Sequence, residues 1–424
     1  MYSQMTKAQL EQLKSELEQS YNGIKDKNLS LDMSRGKPNK TQLDLSDGMN
    51  SMVSTETGFL SENNFDVRNY GLLEGLPEAR RLFAELFETK IENVIIHGVS
   101  TLNAIYDAIS RAMINGILGS TPWTKLSKVR FLCPVPGYDR HFAILESFGI
   151  EMINIPMSNE GPDMDLIREY VENDELVKGM ICVPKYSNPT GITFSDRVVK
   201  ELAALKPKAN DFRIYWDNAY YVHTFKEDDK ILNILEECEK VGNPDMVIQY
   251  FSTSKVTYPG AGVAASMASK ANVDETLSHM FYQIISHDKV NQLRHVRFLK
   301  DTDNIYEHMK KHAELLRPKF DVVAKALDEH FGETGIAKWT DPNGGYFVSV
   351  DIYKNTAKKT VKLCKEAGLV LTGAGATFPY GKDPDDSNVR IAPTYPDTQE
   401  LSVAMELFCI AAKLAAVEEI LSGK

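Results

Sequence analysis

The chain predicts an α/β fold built on a large, mainly parallel sheet, and three observations carry that reading. Between about residues 93 and 268, seven short apolar runs (NVIIH, VRFLC, MINI, MICV, RIYW, VIQYF and VAASM) alternate with stretches of helical periodicity. The runs lack clean polar alternation, as strands covered by helices on both faces do. Five of them end directly in polar clusters, and in such sheets ligands bind beyond the carboxyl ends of the strands.

Composition agrees with this class and excludes others. The 424 residues are 43% apolar and 25% charged, so a large core can form without disulfides or metal staples, and a disordered chain is excluded. A net charge of −11 and a pI of about 5.4 repel a polyphosphate backbone, which argues against nucleic acid as a partner. The five cysteines (Cys133, Cys182, Cys238, Cys364 and Cys409) are scattered, with no metal-ligand spacing, and read as reduced core residues of a cytoplasmic protein with no metal site. The N-terminal stretch is too polar for a signal peptide. No apolar run approaches the ~18 residues of a membrane helix, so no membrane association is expected.

Taken in order, Leu10, Leu13, Leu17, Tyr21 and Ile24 recur at three- and four-residue steps, giving an amphipathic helix that ends near Lys27 and packs across a larger body. The seven strand candidates follow. A helical stretch from about Val290 to His330, interrupted at Pro318, carries the chain between domains. Beyond it TDPNGGYFVSVD and SNVRIAPTYP read as strands, and Asp397 with Glu400 forms a capping box for a last helix from Thr398. The expected division is residues 1–48 as a segment packing with a small domain, 49–310 as a large domain, and 311–424 as a smaller α+β domain.

The strand-end clusters are Ser100-Thr101, Tyr138, Asn188-Pro189-Thr190-Gly191, Asp217-Asn218-Ala219-Tyr220 and Ser252-Thr253-Ser254-Lys255. Each has an ordinary reading. Ser100 and Thr101 could simply cap a helix, or the helix start with its free N–H groups could hold a phosphate, with Ser252 and Ser254 adding hydroxyls. Asp217 follows a run as apolar as RIYW, where a carboxylate is costly unless a cation or several donors meet it; a structural salt bridge is the alternative. Lys255 is either a surface lysine or, desolvated at a strand end, a nucleophile for carbonyls. Together, a phosphate cradle, an aromatic plate, a buried carboxylate and a strand-end lysine match the needs of pyridoxal phosphate.

With these residues in place, the chain resembles the fold-type I pyridoxal-phosphate-dependent aminotransferases of classes I and II across nearly its whole length. The Asn-Pro-x-Gly, Asp-x-x-Tyr and Ser-x-Ser-Lys segments of that family follow one another here, 29 residues from Asn188 to Asp217 and 38 from Asp217 to Lys255. The resemblance implies a large, mainly parallel seven-stranded sheet domain with a smaller α+β domain, and pyridoxal 5′-phosphate as cofactor. It implies Lys255 as the Schiff-base lysine and proton carrier, and Asp217 as partner of the pyridinium. Asn188 and Tyr220 would hydrogen-bond the phenolic oxygen, Tyr138 would stack on the ring, and Ser100, Thr101, Ser252 and Ser254 would hold the phosphate. Tyr70 is similar to a tyrosine that reaches the neighbouring subunit's phosphate, which implies a homodimer with shared sites. Arg390 is similar to the arginine that grips the substrate α-carboxylate, and Gly36 to a glycine turn on the substrate side, with Asn188 beside them.

One departure stands out. Where the family usually carries a phosphate-clamping arginine after the lysine, this chain has VTYPGAGVAAS with Gly262 near that place. This looks like the aspartate aminotransferase branch related to the aminotransferase domains of MocR-type regulators. The implied reaction is ping-pong transfer of an amino group from an amino acid, aspartate by branch resemblance, to a 2-oxo acid, 2-oxoglutarate. A β-decarboxylase or carbon–sulfur lyase would use the same cofactor residues. A ligand-sensing regulator is disfavoured, because only about 30 residues precede the SRGKPN turn. Arg35, Lys185, Lys289 and Arg294 are candidate receptors for a distal substrate carboxylate. His141, close to Tyr138, is read as a loop or core histidine, and Gly260-Ala261-Gly262 and Gly373-Ala374-Gly375 as turns.

Overall fold

A computed structural model describes residues 1–423 of the chain. All seven strand candidates form one sheet, extended at one edge by a two-residue eighth strand, Gly161–Pro162. Its spatial order is Val94–Ile96, Ala264–Ala268, Val247–Ser252, Arg213–Asp217, Val177–Cys182, Arg130–Val135, Glu151–Ser158 and Gly161–Pro162. Strands from Val247–Ser252 through Glu151–Ser158 pair in parallel. Ala264–Ala268 runs antiparallel to both neighbours, so Val94–Ile96 again points the same way as the parallel set. The five strands that precede the polar clusters therefore open their carboxyl ends on one edge.

The buried strands explain the missing alternation: Val177–Cys182, Arg213–Asp217 and Ala264–Ala268 are buried at every position. One face packs against helices carrying Leu82, Phe83, Val198 and Leu202, the other against a cluster around Ile105, Ile109, Trp123 and Leu145. A separate core joins the two ends of the chain. Helix Lys7–Lys25 lays Leu10, Leu17, Tyr21 and Ile24 against helix Thr398–Ser422, whose capping box at Asp397 and Glu400 is formed as the sequence predicts. Leu31–Met33 pairs in parallel with Leu369–Leu371, and Lys338–Trp339, Val348–Asp351 and Asn388–Ile391 make a three-stranded antiparallel sheet.

The long helical stretch corrects one expectation. It breaks at Lys300, where φ is +62°, and Asp301 restarts it by accepting from Asn304 N at 2.8 Å; helix Thr302–Phe331 then runs straight through Pro318. Proline removes one hydrogen bond, at a cost of about 3 kcal/mol. The buried stripe of Leu316, Phe320, Val323 and Leu327 on either side offsets this. Along the same helix Ile305 and Met309 enter the sheet's core and Ala313 onward the terminal core, which supports the domain division we propose near residue 310. Among the described residues no helix is long and apolar enough to cross a membrane.

Candidate active site

A cavity of about 500 Å³ opens at the carboxyl edge, lined by Gly36, Tyr138, Asn188, Tyr220, Lys255 and Arg390 among others. Six residues predicted from sequence thus meet in one place. A larger, more open cleft of about 630 Å³ lies past Thr190 and Gly191, toward Trp339 and Asp341, and collects none of the other strand-end clusters.

Asp217 closes strand Arg213–Asp217 and is buried. Its Oδ2 accepts from Thr101 Oγ1 at 3.1 Å and sits 3.0 Å from His141 Nε2, while Oδ1 is buried with no partner. Two expectations change here. The Thr101 hydroxyl is committed to this carboxylate, so Thr101 offers a phosphate only its backbone N–H at the helix start. His141 is a buried ligand of Asp217, because helix Asp139–Ser147 places it on the same face as Tyr138, three residues earlier, with the two rings edge to face at 4.9 Å. That three-residue spacing was the available signal.

The turn carrying Lys255 is tightly held. Ser252 caps the short 3-10 turn Thr253–Lys255, and Thr253 pairs with Val263 through Thr253 N to Val263 O at 3.0 Å and Val263 N to Thr253 Oγ1 at 2.9 Å. Histidines back it from behind: His223 Nε2 lies 3.2 Å from Lys255 O, His308 Nε2 2.8 Å from Val256 O, and His295 Nε2 2.8 Å from Thr257 Oγ1. His312 Nε2 in turn lies 3.2 Å from His308 Nε2. Lys255 Nζ stands 4.7 Å from the Tyr220 ring centroid. Burial pulls the Lys255 ammonium below its ordinary pKa, opposed by the charge of Asp217. Burial pushes the Tyr138 phenol up to about 12 and raises that of Tyr220 well above its ordinary value, so both remain hydrogen-bond donors at neutral pH.

Ser100 caps helix Thr101–Asn115, Ser252 Oγ donates to Ser254 Oγ at 3.0 Å, and Ser254 Oγ to Val99 O at 2.8 Å, which joins the two predicted phosphate clusters. Gly262 belongs to this wall. A Cβ there would come within 2.7 Å of both Ser254 Oγ and Val99 O, so no side chain, and no arginine, fits without displacing the backbone. A cation does connect to the wall: Arg294 Nη2 donates to Asn291 Oδ1 at 2.6 Å, Asn291 Nδ2 donates to Ala261 O and Gly262 O at 3.0 Å each, and Arg294 Nε is buried without a partner.

Arg390, in strand Asn388–Ile391, is buried yet presents its guanidinium to the cavity. Nη1 donates to Asp139 Oδ1 at 2.8 Å and Asn188 Oδ1 at 3.1 Å, Nη2 to Thr372 Oγ1 at 3.2 Å, and the group lies 4.8 Å from the Phe347 ring centroid. The reason for Gly36 is contact: a Cβ would sit 2.4 Å from that ring. Asp139, Thr372 and Phe347 were invisible to sequence reasoning because their role is to orient another side chain across long separations. Tyr70 lies outside the cavity and is 75% exposed.

The family model for aspartate amino-transferases matches residues 5–424. The aspartate aminotransferase of Corynebacterium glutamicum is 43% identical over 405 residues, covering 95% of this chain and 93% of that one. A crystal structure of an aspartate transaminase from the same organism superposes with a TM-score of 0.96 at 42% identity over 99% of each chain. An α-aminoadipate aminotransferase from Thermus thermophilus, complexed with N-(5'-phosphopyridoxyl)-L-leucine, shares the fold with a TM-score of 0.74 at 20% identity over 93% of each chain.

Proposed function

The chain belongs to the aspartate amino-transferase family and is an aminotransferase, and from that premise we propose that it moves the amino group of aspartate to 2-oxoglutarate, in two half-reactions, on pyridoxal 5′-phosphate. The observation that carries the cofactor is the free Oδ1 of Asp217. A buried carboxylate oxygen without a donor is costly, and a protonated pyridine nitrogen supplies that donor. When bound, the cofactor supplies an electron sink for charge developing at the substrate α-carbon.

The chain's own residues divide the remaining work. Asp217 would keep a proton on the ring nitrogen, with Thr101 and His141 fixing its second oxygen. Tyr138 would face the ring, and Asn188 and Tyr220 would donate to the phenolic oxygen. Ser100, Ser252, Ser254 and the N–H groups at the start of helix Thr101–Asn115 would take the phosphate. Arg390, held planar by Asp139, Asn188 and Thr372, receives the α-carboxylate, with Gly36 leaving room for it. Lys255, whose ammonium burial has made less basic, would be the group that holds the cofactor covalently and serves as the base for the α-proton.

We further propose a homodimer with shared sites, acting in the cytoplasm. Phe281, Tyr282 and Ile285 are exposed, and the neighbouring Ile284 packs in one small cluster with Leu73, close in sequence to exposed Tyr70. This apolar surface supports a second copy covering it and placing Tyr70 at the partner's phosphate.

The test is an absorbance spectrum of the purified protein, with aspartate added first and 2-oxoglutarate second. A visible cofactor band that gives way to a near-ultraviolet band and then returns establishes the transfer. A band that aspartate leaves unchanged redirects the substrate assignment, and no band after added pyridoxal phosphate overturns the cofactor. Lys255→Ala is expected to lose both band and turnover.

A further inference from the structure

The cavity is strongly cationic in an acidic protein. Arg35, Lys37, Arg140, Lys255 and Arg390 line it against the single carboxylate of Asp139, while the whole chain carries −11. Two of these cations already have partners: Arg390 holds Asp139, and Lys37 Nζ lies 3.3 Å from Asp32 Oδ2 and 3.8 Å from the Tyr395 ring centroid. The guanidinium groups of Arg35 and Arg140 have no hydrogen-bond or ion-pair partner among the described residues. A monocarboxylic amino acid satisfies Arg390 alone and leaves this excess of charge unmatched; a dianion does not.

Of the four distal-carboxylate candidates that the sequence offers, three are spent elsewhere. Lys185 Nζ lies 2.8 Å from Asp228 Oδ1 and over the Tyr186 and Tyr221 rings, Lys289 Nζ donates to Ser286 Oγ at 2.7 Å, and Arg294 serves Asn291. None of the three lines the cavity, whereas Arg35 does. Arg140, which the sequence reading passed over, lines it too. It follows Asp139, whose carboxylate grips Arg390, so its backbone stands one Cα step of about 3.8 Å from the anchor of the α-carboxylate receptor. It also lies in the first turn of helix Asp139–Ser147, whose positive end adds to the pull on an anion.

We propose that the Arg140 guanidinium receives the side-chain carboxylate of a dicarboxylic amino acid, from the same subunit that supplies Lys255 and Arg390. This deepens the aminotransferase reading and rests on it. Both guanidinium groups line one cavity, so a diacid can engage the two at once, and the planar fork of arginine suits the bidentate contact.

The test compares the protein loaded with pyridoxal phosphate as Arg140→Gln, Arg35→Gln and the natural chain. Aspartate, glutamate and alanine serve as amino donors, and succinate and propionate as ligands in calorimetry. Arg140→Gln is expected to lower kcat/KM for aspartate and glutamate about 10- to 100-fold, chiefly through KM, and for alanine far less. The dissociation constant of succinate should rise by a similar factor while that of propionate does not. Equal losses for alanine and aspartate, unchanged succinate binding, or a loss confined to Arg35→Gln would each overturn the proposal. If the natural chain itself fails to use aspartate, the substrate reading falls by that result alone, and succinate binding still decides Arg140.

Discussion

Replacing Arg390 and replacing His141 are expected to separate substrate binding from cofactor holding. Arg390→Ala removes a charge-assisted fork from a buried strand, so KM for every amino acid should rise by roughly 10²-fold, as expected for ~3 kcal/mol of lost bonding. An effect restricted to dicarboxylic substrates in steady-state assays would show that the wrong carboxylate has been assigned to it. His141→Leu withdraws a donor from Asp217, whose other oxygen already lacks one, and should weaken cofactor retention about tenfold in a dialysis titration, with KM for aspartate nearly unchanged. Lys255, Asp217, Tyr220 and Asn188 were legible because each follows a buried strand in an unusual local sequence, and Arg390, inside strand Asn388–Ile391, through the family resemblance. Asp139, Thr372, Phe347 and Arg140 were not, since a residue that orients or complements another from a different element, 18 positions away for Thr372 and 251 for Asp139, leaves no local mark.

Two elements decide how firmly the site is held. The histidines behind the Lys255 turn are buried as neutral rings: burial takes His223 and His312 down to about 3 and His295 to about 4, and lowers His308 as well. Their ordinary value is ~6.5, so below about pH 6.5 the unfolded chain binds more protons than the folded one. The stability these rings contribute is therefore complete above pH ~6.5 and is lost progressively as pH falls toward 4. Denaturant melts across that window should show it, with a shallower slope in His223→Gln; a flat profile would contradict the burial. The second element is the Ser34–Lys37 loop, pressed onto the Phe347 ring. Gly36→Ala should push that ring, cost about 1–3 kcal/mol in a thermal melt and raise KM through Arg390. The strands were readable from apolar runs and the last helix from its capping box. The passage through Pro318 was not, because what offsets the proline is a stripe of contacts to a helix some ninety residues later.

At the level of the whole molecule the prediction concerns assembly. Phe281→Asp with Tyr282→Asp should shift the protein toward monomer in sedimentation and lower cofactor retention, because Tyr70 would no longer reach a partner; a dimer that persists would move the interface elsewhere. The architecture was legible as a class, since buried parallel strands announce themselves, whereas the joining of both chain ends in one core was only a possibility in the sequence. That joining sets an order in time. During synthesis the seven main strands of the large sheet are complete once Ala268 has emerged and the histidines that brace the Lys255 turn once His312 has, but the groove that handles amino acids also needs Ser34 tied to Thr372, Lys37 tied to Thr394, and Arg390 itself. More than a hundred residues separate Ala268 from Arg390. A nascent chain can thus lay down its large sheet well before it can handle an amino acid, and its chemistry stays closed until the ribosome has nearly finished.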